Sequence, residues 1–193
     1  MNPDWLAFRA LNSLAGRWQP FDALVQFMMN DYALTTALTA LLVALWFRGR
    51  TSEQRAGDQA AVVYGITALL LASAAVKGMN LLFFRQRPFT AHDGVALLFY
   101  YPSDSSLPSN SATVAFAFAA TLFRRSRELG LAGYALAASL GLARIVGGVH
   151  YPLDIVVGAV LGLGFVALVW RAQRIFQPLV HAVRGLACRL YLA

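Results

Sequence analysis

The sequence predicts an all-α integral membrane protein: a bundle of five to six transmembrane helices preceded by an N-terminal interfacial helix. Three observations predict it. The chain of 193 residues is 59% hydrophobic and only 13% charged, with a mean hydropathy of +0.57, too apolar for an ordinary soluble domain. Several apolar runs are long enough to cross a hydrocarbon layer of about 30 Å. The net charge of +7 comes from fifteen arginines and one lysine against nine acids, and the arginines cluster between the apolar runs, which is the pattern of membrane topology. That hydropathy excludes a soluble nucleic-acid-binding protein, the usual partner class for so basic a chain.

By length the chain is one domain, residues 1–193. Its single cysteine, Cys188, rules out an internal disulfide and a cysteine metal site, and three histidines leave it poor in metal ligands. Met1 to Pro20 lacks the basic-then-apolar order of a cleaved signal peptide, so the spans themselves are expected to direct insertion. Residues 4–16 read as an amphipathic helix at an interface, with Trp5, Leu6, Phe8, Leu11 and Leu14 on one face and Arg9, Asn12 and Ser13 elsewhere. After Pro20, the run Phe21–Met29 is short and contains Asp22; residues 1–30 are therefore interfacial or include a half-span.

The five firm spans follow. Ala33–Phe47 carries Trp46, a usual interfacial anchor, and leads into a basic loop with Arg48, Arg50 and Arg55. Gln59–Val76 continues through Lys77 to Phe84. Residues 86–108 read as a loop containing Pro88, Pro102, Pro108 and a polar run from Ser103 to Ser106. Ser109–Phe123 begins with a candidate N-cap in Ser109, and Arg124, Arg125 and Arg127 follow it. Gly130–Val149 and Tyr151–Trp170 complete the set, and Gly158-x-x-x-Gly162 in the last one permits close helix approach. Residues 174–193, with Arg174, Arg184 and Arg189, form a basic amphipathic tail suited to an anionic inner leaflet. The positive-inside rule puts loops 48–58 and 124–129 and this tail in the cytoplasm. Loop 86–108 and the turn at 147–151 then lie on the other side.

Three polar stretches meet at that other side. One is Arg85-Gln86-Arg87-Pro88, closing the span that carries Lys77 and Asn80; another is Pro108-Ser109-Asn110-Ser111; the last is Arg144 to Asp154. Arg85, Arg87 and Arg144 stand against the positive-inside rule and need an anionic partner. A phosphate fits, since guanidinium groups bind its oxygens in pairs and the helix start at Ser109 adds N–H groups and a favourable dipole. Anchoring to lipid phosphates is the simpler alternative. His150 and Asp154 are four apart across Pro152, so a helix starting near Tyr151 lets the carboxylate reach back to the ring. A carboxylate on one ring nitrogen makes the other a better base or nucleophile. A helix cap beside a loop histidine would give the same pattern.

These residues carry a family resemblance. The chain resembles the type 2 phosphatidic acid phosphatase superfamily, whose signature is Lys-x6-Arg-Pro, then Pro-Ser-Gly-His, then Ser-Arg-x5-His-x3-Asp; the three blocks occur in order over roughly residues 20–172. Phe84-Arg85-Gln86-Arg87-Pro88-Phe89 with Asp104-Ser105-Ser106-Leu107-Pro108-Ser109 is most similar to the bacitracin-resistance type of undecaprenyl-diphosphate phosphatase. The resemblance implies that His150 is a nucleophile forming a phosphohistidine, oriented by Asp154. It implies that Arg87, Arg144, Ser109 and backbone N–H groups near Asn110 hold the phosphoryl oxygens. It implies no metal or other cofactor. The expected setting is the bacterial cytoplasmic membrane with the active site on its outer face, where hydrolysis of an isoprenoid diphosphate recycles the carrier lipid of cell-wall (peptidoglycan) synthesis.

The chain departs from the pattern at three positions. Asn80 occupies the place of the family lysine; Lys77, one turn earlier, and Arg85 are the substitutes, although a lysine there also serves as a snorkelling cation. Ala143 replaces a serine. Ser111 stands where the family has the histidine that protonates the leaving oxygen. A serine is no acid near neutral pH, and general acid catalysis contributes about 10²–10⁴-fold. The replacement favours a diphosphate substrate, whose leaving group is already a stable anion. His92 is either a substitute donor or a plain loop residue. The alternatives are a phosphatase for another lipid, such as phosphatidylglycerophosphate, and a non-catalytic lipid-phosphate binder or transporter.

Overall fold

The structure, a computed structural model, describes residues 2–190. Its elements are all helical: α1 (Pro3–Asn12), α2 (Gln19–Met29), α3 (Asp31–Arg48), α4 (Ser52–Leu82), α5 (Pro88–Ala91), α6 (Asn110–Phe123), α7 (Arg127–Val146), α8 (Pro152–Arg171) and α9 (Gln173–Arg189). The five stretches expected to span are helical, as α3, α4, α6, α7 and α8, but α6, with 14 residues, is shorter than a membrane crossing. Of the described helices, α4, α7 and α8 are long and apolar enough to cross a membrane unaided, and α2 with α3 makes a fourth if that pair, bent by 53°, is one span. The break falls where Asn30 caps α3, its side chain accepting the N–H groups of Tyr32 and Ala33.

Boundaries moved where capping overrode hydropathy. Thr51 accepts the N–H of Gln54, so α4 starts at Ser52 and most of the expected loop 48–58 is helix. Ser126 caps α7 in the same way. At the other end of α7, Gly147 and Gly148 stop the helix before Val149. Gly148 has φ +87°, and a Cβ there would meet the carbonyl of Ala96. The expected loop 86–108 contains α5, a single turn opened by Pro88.

Helix α6 is the centre. Ala112, Ala115, Ala117, Ala119 and Ala120 are buried along it, and Ser109 caps it by accepting the N–H of Ala112. These small side chains let α3, α4, α7 and α8 close around a 14-residue helix. The Gly158 and Gly162 pair faces it: a Cβ on Gly158 would lie 2.6 Å from the carbonyl of Ser109, and one on Gly162 would overlap that of Thr113.

One end of the bundle is closed by Arg125 Nε on Asp58, 2.8 Å, joining the start of α4 to the α6–α7 turn. Tail helix α9 packs along α4 with Val180 and Ala187 buried, and Arg184 donates to Gln59; residues 191–193 of the expected tail lie outside the described residues. At the opposite end α1 docks on α7 and α8 with Phe8 wholly buried. Asn12, expected off the apolar face, is also buried: it donates to the carbonyls of Ala96 and Val146 and accepts the N–H of Ala96, tying the long loop to the end of α7.

The α6–α8 contact yields a stability prediction. Gly162→Val forces overpacking against Thr113, worth about 1–3 kcal/mol, so the thermal midpoint in detergent should fall. Gly164→Ala, with open space around it, should leave the midpoint unchanged or raise it slightly.

Candidate active site

The end carrying α1 gathers the polar stretches. The turn Gly147–Tyr151 folds back so that Val149 and His150 both donate their N–H groups to the carbonyl of Arg144, at 3.1 and 3.4 Å. Arg144 and His150 thereby share one wall. Pro152 opens α8, and Asp154 in its first turn accepts the N–H of Tyr151 at 2.8 Å. The N–H of Ser109 donates to the carbonyl of Asp154, 3.1 Å, which pins the start of α6 to the start of α8.

His150 is buried, with Nδ1 2.9 Å from the carbonyl of Ser106. A carbonyl only accepts, so Nδ1 carries the proton and Nε2 keeps its lone pair. Asp154 Oδ2 is farther from Nδ1, at 3.6 Å. Ser106 joins the two groups, its Oγ donating to Asp154 Oδ2 at 2.5 Å while its carbonyl holds the ring. His150 lies between α7 and α8. Burial pushes its pKa below the ordinary 6.5; Asp154 opposes this, while the Arg87 and Arg144 guanidiniums add to it.

On the Nε2 side Arg87 Nη1 lies 3.3 Å from the ring nitrogen and also donates to the carbonyl of Val149 at 3.1 Å. Arg87 is held by Asp104, through Nη2 on Oδ1 at 2.7 Å and Nε on the backbone carbonyl at 3.1 Å. Nε2 opens into a cavity of about 350 Å³ walled by Arg87, Asp104, Asn110, Ser111, Arg144 and His150, with Tyr100 among its apolar neighbours. Arg144 donates to the carbonyl of Met29 at 3.2 Å, and its guanidinium lies 5.1 Å from the centre of the Phe99 ring. The N-terminus of α6 enters this cavity at Asn110.

Other expected residues lie elsewhere. Arg85, expected among the phosphate ligands, is behind His150, with Nη1 on Asp154 Oδ1 and Nη2 on Asp4 Oδ2, both at 2.6 Å. Two carboxylates outcompete a surface position for it. Ser109 is fully buried as the α6 cap and does not line the cavity. His92 stacks on Trp5, ring centres 3.6 Å apart, away from the cavity. Lys77 and Asn80 line a neighbouring cavity of about 530 Å³ with Val76, Leu81 and Phe84; the two cavities share Asp104, Ser105 and Asn110. Asp4, Asp104 and Ser106 went unnoticed as site residues. Asp104 and Ser106 were signalled by the Ser103–Ser106 polar run and by the Asp104–Ser109 stretch of the family resemblance, neither of which gave them a role, and an acid in the first turn of a surface helix resembles an ordinary dipole partner. Among the described residues no group of three or more His, Cys, Asp or Glu side chains is placed to hold a metal ion.

Known proteins are similar to this chain in sequence and fold. The chain is 31% identical to the bacitracin transport permease protein BcrC of Bacillus licheniformis over 88% of its length and 80% of that protein's. It is 28% identical to the undecaprenyl-diphosphatase BcrC of Bacillus subtilis over 91% and 87%. The crystal structure of Aquifex aeolicus LpxE superposes with a TM-score of 0.72 at 25% identity, covering 89% of this chain and 96% of that one. Residues 60–177, which hold Arg87, Arg144, His150 and Asp154, match the PAP2 superfamily. The chain belongs to that superfamily, among its membrane lipid phosphatases.

Proposed function

We propose that this protein hydrolyses undecaprenyl diphosphate to undecaprenyl phosphate and inorganic phosphate, working at the outer face of a bacterial cytoplasmic membrane. The observation that carries this is the unprotonated Nε2 of buried His150 facing a cavity walled by two arginines, Arg87 and Arg144. A buried pair of guanidiniums suits a phosphoryl group. The second cavity supports a lipid substrate, since Leu81 and Phe84 are 80% and 69% exposed beside it. A diphosphate seated at Arg87 would have its chain leave along this apolar side. The undecaprenyl-diphosphatase named among the relatives supports the choice of lipid.

The reaction runs in two displacements. Nε2 attacks the terminal phosphorus, and the bond to the bridging oxygen breaks with its electrons leaving on the lipid monophosphate. Positive charge then on the imidazole is met by Ser106 and Asp154. Water attacks the phosphohistidine, the N–P electrons return to Nε2, and inorganic phosphate leaves. Arg87, Arg144 and the α6 N-terminus stabilise the charge on the phosphoryl oxygens in both steps. Ser111 supplies no acid, which a lipid phosphate leaving as an anion does not require.

The placement at the outer face is supported by charge. Arg48, Arg50, Arg124, Arg125, Arg127 and Arg171 lie at or beyond the bundle end opposite His150, as cytoplasmic arginines do. The isoprenoid diphosphate and the surrounding membrane lipids are its partners in this reading.

Four measurements test the proposal. Purified protein in detergent should release phosphate from undecaprenyl diphosphate faster than from phosphatidylglycerophosphate, and His150→Ala should lower the rate by at least about a thousandfold. Ser111→His should raise turnover of the monoester by about 10²–10⁴-fold and of the diphosphate much less. Binding without turnover in either form would identify a binder or transporter instead. Because His150 attacks unprotonated and its pKa is depressed, kcat/KM should hold through pH 6.5 and fall only below it. An acid limb centred above 6.5 would contradict the nucleophile assignment. For the orientation, Ser103→Cys in a Cys188→Ser background should react with an impermeant maleimide in intact spheroplasts; labelling only after lysis reverses the topology.

A further inference from the structure

Asp4 of α1 has no place in the reaction just described, yet its carboxylate is only 12% exposed and is fully engaged. Oδ2 takes Arg85 Nη2 at 2.6 Å, and Oδ1 accepts the N–H of Leu153 at 2.9 Å. Leu153 is the second residue of α8, so Asp4 caps the helix that carries Asp154 from 149 positions away. Arg85 then bridges, with Nη1 on Asp154 and its guanidinium 4.0 Å from the centre of the Tyr151 ring. Tyr151 in turn packs on Phe8, one α1 turn beyond Asp4. Asp4 lies outside the stretch that matches the family.

We infer that Asp4 is a positioning residue for the His150 reaction: it holds Arg85 on Asp154 and leaves the three groups with one net negative charge beside the imidazole. Arg85 alone would neutralise Asp154. With Asp4 present, two carboxylates share one guanidinium, so negative charge persists where the ring becomes cationic on attacking phosphorus. The other charged groups facing His150 are Arg87, itself paired with Asp104, and Arg144 from α7. Both are cations on the phosphoryl side, and neither can supply this compensation. The inference rests on the phosphatase reading for its catalytic consequence, and on geometry alone for its effect on the ring.

The test uses the full chain in detergent, with histidine labelled with ¹⁵N and His150 followed by NMR titration. Asp4→Asn removes a negative charge and should move the His150 titration to lower pH. Arg85→Gln removes a positive one and should move it to higher pH. Each should lower kcat for undecaprenyl diphosphate by about 10- to 100-fold, the rate equivalent of one lost hydrogen bond to a charged group, with KM little changed. Asp4→Glu should recover part of the loss. Asp22→Asn, whose carboxylate accepts the N–H of Gly16 in the same N-terminal segment, should move neither readout. An unmoved titration in Asp4→Asn, or shifts of the same sign in Asp4→Asn and Arg85→Gln, would overturn the inference. A wild-type chain that hydrolyses no lipid phosphate defeats the phosphatase reading instead, and the titration still decides whether Asp4 sets the charge at the ring.

Discussion

The structure depends on one buried carboxylate. Asp154 is fully buried, and a charge in such a place is tolerable only when paired and hydrogen-bonded. Arg85, Ser106 and the Tyr151 N–H bind its side chain, and His150 lies just beyond hydrogen-bond distance. Those partners come from the end of α4, the loop before α6 and the start of α8. Through Arg85, α1 joins them. Removing one partner from a buried ion pair typically costs about 3–5 kcal/mol, so the carboxylate serves as a registration pin for one whole end of the bundle. Ser106, bound to the carboxylate through Oγ, sets the histidine's tautomer through its carbonyl, which couples assembly to chemistry.

The apolar body makes that precision possible at a membrane edge. Alanines on α6 and glycines on α8 bring backbone against backbone, so the start of α6 is held by Ser109 on Asp154 rather than by long side chains. With the helix N-terminus fixed relative to Arg87 and Arg144, its dipole faces the cavity without reorganising during reaction. Preorganised charge of this kind contributes most where water is scarce.

Hydropathy and charge made most of the fold legible. The apolar runs became helices, and the turn between Arg144 and Asp154 was readable from its glycines and proline. What escaped was set by partners remote in sequence. Arg85 and Arg87 are two residues apart and look equivalent, yet one faces the cavity and the other faces Asp4 and Asp154, 81 and 69 positions away. Asn12 lies off the apolar face of its helix and Asp4 sits in its first turn, and the surface both of them meet is assembled only by folding. Cap residues shifted α4 and α7, since a single side-chain bond to a backbone N–H outweighs the weak hydropathy gradient at a span's end.

Ser111 brings these threads together. A phosphatase without an acid at that position must reduce the need for one. On the proposed reaction the cavity does this on the phosphoryl side, where Arg87, Arg144 and the α6 N-terminus wall it. It does so on the histidine side by keeping net negative charge at Asp154. On the proposed reaction the substrate does the rest, since a lipid phosphate departs as a stable anion whereas an alkoxide does not. On that proposal substrate choice follows from leaving-group chemistry as much as from shape. Burial, Arg87 and Arg144 keep His150 neutral before attack in that reaction, and the burden left to the Asp4–Arg85–Asp154 network is to support the ring as a cation afterwards.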